Sequence, residues 1–167
     1  MRVAGTGLHL RHPCARGFTL IEIAVTLTLT VAATLVAAPL AVAWVDSSRV
    51  VETRAVLQQA VSRAKAMALR NSAGVTGDTP AATLCAVQGV VHVHQGLPAQ
   101  CGDGSAWRQD IPGGARTQVL LDGAALGCLA LANTGRPVPL AFGGADCAEG
   151  MAFEITRGDE RVAGQLH

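Results

Sequence analysis

A single carboxylate, Glu22, lies in an otherwise uncharged stretch that runs from Phe18 to Val45. An ionised side chain is costly in an apolar environment, so an acidic residue inside such a stretch is a functional candidate. Pairing with a cation would offset part of that cost. The alternative is a carboxylate that reaches the polar lipid headgroups from the end of a helix.

A pair of histidines is the second pattern of residues that could support chemistry. His92 and His94 alternate along a predicted strand, so both side chains point to one face, as two metal ligands would. The sequence shows no third ligand nearby, and we interpret the pair as solvent-facing. Asp103-Gly104-Ser105 and Gly113-Gly114 are typical of turns, not of a phosphate-binding loop. We therefore expect no enzyme activity, no metal site and no cofactor.

The uncharged stretch is long enough to cross a bilayer, since a spanning helix needs about 20 residues. Arg2, Arg11 and Arg16 precede it, which predicts a cytoplasmic N-terminus and an exported C-terminal part. A secretory signal peptide is the competing interpretation, with Ala37-Ala38-Pro39 as its cleavage site. The apolar core of such a peptide usually has only about 7–15 residues.

The predicted helix continues to about Asn71, giving a stem of roughly 75 Å at a rise of 1.5 Å per residue. Pro39 inside it predicts a kink or local melting, and Ser72-Ala73-Gly74 predicts its end. Its second half, residues 46–71, carries apolar residues at helical spacing between arginines. These residues are Val50, Leu57, Val61, Ala64 and Ala68.

Charge divides the rest of the 167-residue chain. Residues 46–71 carry five basic and two acidic side chains, for a net charge of +3. Residues 72–167 carry five basic and nine acidic side chains, for a net charge of −4. A mildly acidic head argues against nonspecific nucleic-acid binding, which depends on many cationic contacts.

The head, residues 72–167, has the short apolar runs and frequent glycines of a β-rich fold. Arg157-Gly158-Asp159-Glu160 predicts a hairpin turn. We expect an α+β fold in which a small, mostly antiparallel sheet packs against the long helix. The predicted strands are Ala82–Val87, Gly89–His94, Thr117–Leu121, Leu126–Ala132, Met151–Thr156 and Arg161–Leu166.

Five cysteines are present, and Cys14 lies in the basic N-terminal segment. The other four form an even set in a part expected to face an oxidising compartment, which predicts up to two disulfides. Of three possible pairings we favour neighbours, Cys85 with Cys101 and Cys128 with Cys147. Reduced, buried cysteines are the alternative. Metal ligation is less favoured because no C-x-x-C pair occurs.

Arg16 to Glu22 reads RGFTLIE, which closely resembles the signal sequence of type IV prepilins. The resemblance implies that residues 1–17 are a leader, which an inner-membrane prepilin peptidase removes by cutting after Gly17. The same enzyme would N-methylate Phe18. A glycine suits the cut because it offers no Cβ to obstruct the peptidase. The resemblance also implies that residues 18–45 form a membrane and filament-core helix.

In that family the residue matched by Glu22 contacts the amino terminus of a neighbouring subunit during filament assembly. Methylation leaves the Phe18 amine cationic, so the two opposite charges would offset each other's burial. A proline at the depth of Pro39 accompanies local helix melting in many major pilins. The implied partners are the peptidase, other pilin or pseudopilin subunits, an inner-membrane assembly platform and the membrane. The head would be periplasmic.

Parts of the head resemble the GspH/FimT family of minor pilins and pseudopilins. Leu57–Asn71 resembles the family's helix end, although Ala64-Lys65 stands where a glutamate is common. Cys85, Cys101 and Trp107 resemble its Cys–Cys–Trp arrangement, and Ala132–Arg136 resembles a later strand and turn.

The family resemblance leaves two functions open. A type II secretion pseudopilin would support protein export, and a type IV minor pilin would act in pilus assembly or DNA uptake. The residues for a DNA contact would be Arg136, Arg157 and Arg161, with ordinary turn charges as the alternative. A membrane-anchored periplasmic binding domain is a third possibility.

Overall fold

The computed structural model of this protein describes residues 17–167. The predicted leader, up to Arg16 and including Cys14, lies outside the described residues. Two compact units can be distinguished, one ending at Pro39 and the other formed by Leu40–His167. The described part of the first is helical from Leu20, and the second contains the rest of that helix and all the strands.

One long α-helix is followed by eleven strands, with a short 3-10 turn at Gly114–Arg116. The helix is α1 (Leu20–Arg70). The strands are β1 (Ala82–Val87), β2 (Val90–Gln95), β3 (Trp107–Asp110), β4 (Gln118–Leu121), β5 (Ala124–Ala125), β6 (Cys128–Leu131), β7 (Pro137–Val138), β8 (Ala141–Phe142), β9 (Ala145–Asp146), β10 (Ala152–Arg157) and β11 (Glu160–Gln165).

The strands form a five-stranded sheet in the order β3-β2-β1-β6-β7, a four-stranded sheet in the order β11-β10-β4-β5, and a β8-β9 ribbon. Neighbouring strands are antiparallel in all three. The predicted combination of a long apolar helix with antiparallel strands is confirmed. The expectation of one small sheet is wrong, because β4 pairs with β10 and not with the strands of the five-stranded sheet.

One face of α1 supplies the centre of the core. Its buried residues recur every three or four positions, which places them on a single stripe. The stripe packs against apolar side chains from one face of the five-stranded sheet and from β4 and β10, including Leu84, Leu129 and Ile155. Buried residues of the stripe are Val50, Thr53, Leu57, Ala60, Val61, Ala64 and Ala68.

The other face of the five-stranded sheet carries a second, smaller cluster. Side chains alternate across a strand, so Leu84 belongs to the main core while Cys85 belongs to this second cluster. The same alternation places Leu129 in the core and Cys128 on the opposite face. The second cluster is therefore built mainly from cysteines and small residues.

α1 ends at Arg70, and the next residue, Asn71, lies three residues before Gly74 of the predicted stop. Its φ of 41° is left-handed, a conformation that asparagine tolerates better than most residues. Its side chain makes two hydrogen bonds with the backbone of Val75: Nδ2 donates to the carbonyl at 2.8 Å, and Oδ1 accepts from the amide at 2.9 Å. The chain turns here because one residue satisfies both the backbone angle and two hydrogen bonds.

We expect Asn71→Ala to lower the free energy of unfolding by about 1–3 kcal/mol, since it strains the left-handed backbone and removes two side-chain hydrogen bonds. Chemical unfolding of the full chain in detergent, followed by circular dichroism, measures this loss. Asn71→Gly is the matched control, because glycine keeps the backbone angle and loses only the two bonds. An unchanged unfolding midpoint in Asn71→Ala would contradict this account of the stop.

Candidate functional site

The predicted cleavage site lies at the start of the described chain. Gly17, Phe18 and Thr19 are not helical and are all exposed, and a Cβ placed on Gly17 would have no atom within 4 Å. Phe18 is 77% exposed. An exposed, non-helical peptide bond is accessible to a protease, and here it lies just before α1.

Glu22 is positioned by the first turn of α1. The hydroxyl of Thr19 accepts a hydrogen bond from the backbone amide of Glu22 at 3.3 Å, which is the N-terminal half of a capping box. The Glu22 carboxylate therefore lies in the first turn, where the partial positive charge of the helix end favours an anion. Sequence reasoning missed this local role, although the T-x-x-E spacing could have revealed it.

Every described residue from Gly17 to Val45 is exposed. An 18-residue window of α1 has a mean hydropathy of 2.1 and is 0% buried, so this helix is long and apolar enough to cross a membrane. The hydroxyls of Thr26, Thr28, Thr30 and Thr34 donate to backbone carbonyls three or four residues earlier, at 2.7–3.0 Å. These polar groups are satisfied within the helix and are therefore compatible with apolar surroundings.

Pro39 does not interrupt α1. The ladder of backbone hydrogen bonds continues on both sides, although a proline removes one of them. The kink or local melting expected at Pro39 stays a prediction.

The three predicted DNA-contact arginines have different surroundings. Arg157 is bound within the head: its Nε donates to Asp46 Oδ1 at 2.6 Å, and its Nη1 donates to the Gly113 carbonyl at 3.0 Å and to Thr117 Oγ1 at 3.2 Å. Only 10% of the Arg157 side chain and 20% of the Asp46 side chain are exposed. Most of this guanidinium is therefore engaged in an internal ion pair that joins α1 to the end of β10.

Two glycines leave room for that ion pair. Gly113 has a φ of 88°, and a Cβ there would lie 2.0 Å from Arg157 Nη1. Gly158 has a φ of 56°, and a Cβ there would lie 2.9 Å from Asp46 Oδ2. Asp46 and Arg157 are 111 residues apart in sequence, so the pattern of residues offered no signal for this contact.

Arg161 and Arg136 lie closer to the surface. Arg161 donates from Nη2 to Glu154 Oε2 at 2.6 Å across the β10-β11 hairpin, and its side chain is 66% exposed. Arg136 lines a shallow hollow that also contains Asp78. Arg157 and Arg161 are each paired with an acidic side chain, which reduces the local positive field available to phosphates.

Both neighbour disulfides predicted from the sequence are present, Cys85–Cys101 and Cys128–Cys147. Each ties a loop to the second cluster, because Cys85 and Cys128 lie on adjacent strands while Cys101 and Cys147 lie on connecting segments. The disulfides therefore fix these two loops at a place where the cluster of buried apolar side chains is small.

The interpretation of His92 and His94 as solvent-facing is wrong. The two residues are 6% and 3% exposed, and the loop that contains Cys101 and Ser105 contacts both rings. His94 Nε2 lies 2.7 Å from the Cys101 carbonyl and His92 Nδ1 lies 3.2 Å from Ser105 Oγ. Burial lowers the pKa of His92, and the neighbouring His94 and Arg108 lower it further.

One cleft in the head has a volume of about 790 Å³. It opens between the β1-β2 turn and β4-β5, and Asp110 is the one ionisable side chain that lines it. Such a lining offers no acid–base pair.

Comparison of this chain with protein-family models, with curated proteins and with solved structures found no match.

We expect Arg157→Met to destabilise the head by about 2–4 kcal/mol, because it leaves the partly buried Asp46 carboxylate without its cation. Arg161→Met is the matched control and should cost less than about 1 kcal/mol, since its ion pair is largely exposed. Unfolding of both variants by urea gives the comparison. Adding Asp46→Asn to Arg157→Met should recover part of the lost stability, because it removes the unpaired charge. Equal losses in Arg157→Met and Arg161→Met would contradict the interpretation of Asp46–Arg157 as an internal ion pair.

Proposed function

We propose that this protein is a pilin-like filament subunit, specifically a pseudopilin of a type II secretion system that supports protein export. One observation carries the proposal: the apolar first part of α1, which is exposed as far as Val45 and contains a single carboxylate, begins two residues after an accessible Gly17-Phe18 bond. An apolar surface of this extent requires a bilayer or other apolar helices as its surroundings.

The position of Glu22 favours assembly over simple anchoring. A passive anchor has no need of an acidic residue within its apolar segment, and its presence lowers the stability of membrane insertion. In the proposed mechanism, cleavage after Gly17 creates a new cationic amine at Phe18. The amine of one subunit then pairs with the Glu22 carboxylate of the next, so that only processed chains can satisfy this charge in the filament core.

The two disulfides support a periplasmic location for the head, since disulfides persist in oxidising compartments. Before assembly the protein would be a single-pass protein of the inner membrane, with a cytoplasmic N-terminus and a periplasmic head. Arg2, Arg11 and Arg16 suit that orientation.

The second half of α1 connects the proposed filament stem to the head. Its buried stripe forms the centre of the core, and Asp46 binds Arg157 close to the end of the apolar segment. Movement of the stem during assembly would therefore be transmitted to the sheets through packed side chains and this ion pair.

We expect Glu22→Gln to be cleaved normally but to enter filaments at least about tenfold less than the wild-type chain, because removing one partner of a buried charge pair costs more than about 2 kcal/mol. Cleavage is read from the size of the chain on a gel, and incorporation from sheared filament fractions. Glu22→Asp, which keeps the charge, should retain more incorporation.

Glu52→Gln is the matched control, because Glu52 is an exposed glutamate of the same helix that pairs with Arg49. It should be cleaved and incorporated like the wild-type chain. Normal incorporation of Glu22→Gln would contradict the assembly role. A wild-type chain that keeps its full leader in the cell would instead support the anchored-domain alternative.

The cellular role is tested in a deletion strain complemented with the wild-type gene, scoring exoprotein secretion, twitching and DNA uptake in the same cells. Loss of secretion alone would support the pseudopilin proposal. Loss of twitching or DNA uptake with intact secretion would overturn it in favour of a type IV minor pilin. Because Arg157 is engaged with Asp46, we expect DNA binding by the purified protein to be weak.

A further inference from the structure

A small polar hollow lies at one end of the four-stranded sheet, where β4 begins and β10 ends. Its volume is about 170 Å³, and it is lined by Arg116, Gln118, Thr156, Arg157 and Gly158. Gln118 and Thr156 are register partners in the β4-β10 pair, and the 3-10 turn before β4 supplies Arg116. Each side chain of this lining carries a hydrogen-bond donor. The hollow is therefore suited to a group that accepts hydrogen bonds, such as an anion.

The two arginines of this lining keep unused donors. Among the described residues, Arg157 has partners for Nε and Nη1, whereas its Nη2 has none. Arg116 is exposed and belongs to none of the three ion pairs found in the described part of the chain. Because only 10% of the Arg157 side chain is exposed, a donor that it presents to the hollow is held in a fixed position.

The charges around the hollow balance to those of a site for a singly charged anion. Asp46 pairs with Arg157, so the positive charge of Arg116 has no counter-charge in the lining. Asp159 is exposed at the tip of the same hairpin and does not line the hollow. The planar guanidinium of arginine matches the geometry of phosphate, to which it donates two parallel hydrogen bonds. A phosphodiester, with one negative charge and two unesterified oxygens, fits this lining.

The position of the hollow indicates the source of the phosphate. Asp46 is the first charged residue after the apolar stretch that ends at Val45, and Arg157 of the lining binds it at 2.6 Å. One residue advances a helix by about 1.5 Å, whereas each headgroup layer of a bilayer is about 5–7 Å thick. A chain that spans the membrane as far as Val45 therefore holds the hollow at the level of the lipid phosphates. Trp44, which is 75% exposed, is of a residue type enriched at this interface.

We propose that this hollow binds the phosphodiester of a membrane phospholipid, with Arg116 as its principal cation. The acyl chains of the lipid would extend along residues 40–45 of α1, which are apolar and exposed. Binding would fix the depth and the orientation of the head at the membrane surface. The inference rests on the bilayer location given in the proposed function, but not on filament assembly.

The first test is native mass spectrometry of the full chain released from detergent, with phosphatidylglycerol as the probe. We expect phosphatidylglycerol to be retained more than a diacylglycerol that has the same acyl chains and no phosphate. Arg116→Gln should weaken phosphatidylglycerol binding about fivefold, the usual contribution of one cation near an anionic lipid surface. Arg116→Lys, which keeps the charge, should lose less.

Arg161→Gln is the matched control, because Arg161 is an exposed arginine of the β10-β11 hairpin that does not line the hollow. It should bind phosphatidylglycerol like the parent chain. Equal affinities of the parent and Arg116→Gln, equal losses in Arg116→Gln and Arg161→Gln, or equal retention of the two lipids would each overturn the proposal. Displacement of the lipid by inorganic phosphate or by a short DNA duplex at the same phosphate concentration would overturn the choice of a lipid as the ligand.

A second experiment locates the hollow in the bilayer. The chain has two tryptophans, so Trp107→Phe leaves Trp44 as the only fluorescent one and keeps an aromatic ring beneath Arg63. In vesicles, we expect Trp44 to be quenched more by a nitroxide at the lipid headgroup than by one at the end of the acyl chain. Stronger quenching by the deep nitroxide would overturn the inference and leave the bilayer location intact. No quenching by either would overturn the bilayer location itself and the inference with it.

Discussion

The packed part of this protein depends on the burial of one helical stripe, from Val50 to Ala68, against antiparallel strands. Small residues at Ala60, Ala64 and Ala68 are fully buried, so the backbone of α1 can approach the sheets closely. Larger side chains such as Leu57 fill the space between them. Because the same helix is exposed on all sides before Asp46, a single element has to meet two different environments.

Covalent and ionic links hold the parts of the head that this stripe does not reach. Each disulfide closes a loop on the far face of the five-stranded sheet, where the cluster of buried side chains is small. The Asp46–Arg157 pair joins α1 to the end of β10, four residues before the buried stripe begins at Val50. Only 3% of the residues in the whole chain are aromatic. The disulfides and the ion pair therefore replace part of the stabilisation that the burial of larger side chains would provide.

Several elements could be predicted because their signals are local. β1 has its predicted bounds, and α1 ends at Arg70, within a residue of the expected position. By contrast, β3 was missed because its sequence, WRQD, has no apolar alternation and is held by pairing with β2. The division into two larger sheets was also missed, because the pairing of strands depends on long-range contacts that the sequence of each strand does not specify.

The sequence alone determined the apolar helix and the position of Glu22 in it, because hydropathy and spacing express these features directly. It favoured neighbour pairing of the four cysteines but left three pairings open, and the tertiary structure decided among them. Only the tertiary structure decided which polar residues would be buried. His92 and His94 have the same sequence pattern whether a strand face is open or covered, and a distant loop covers it here. Likewise, Arg157 became an internal residue because folding brings Asp46 to it, across a separation that no local pattern records.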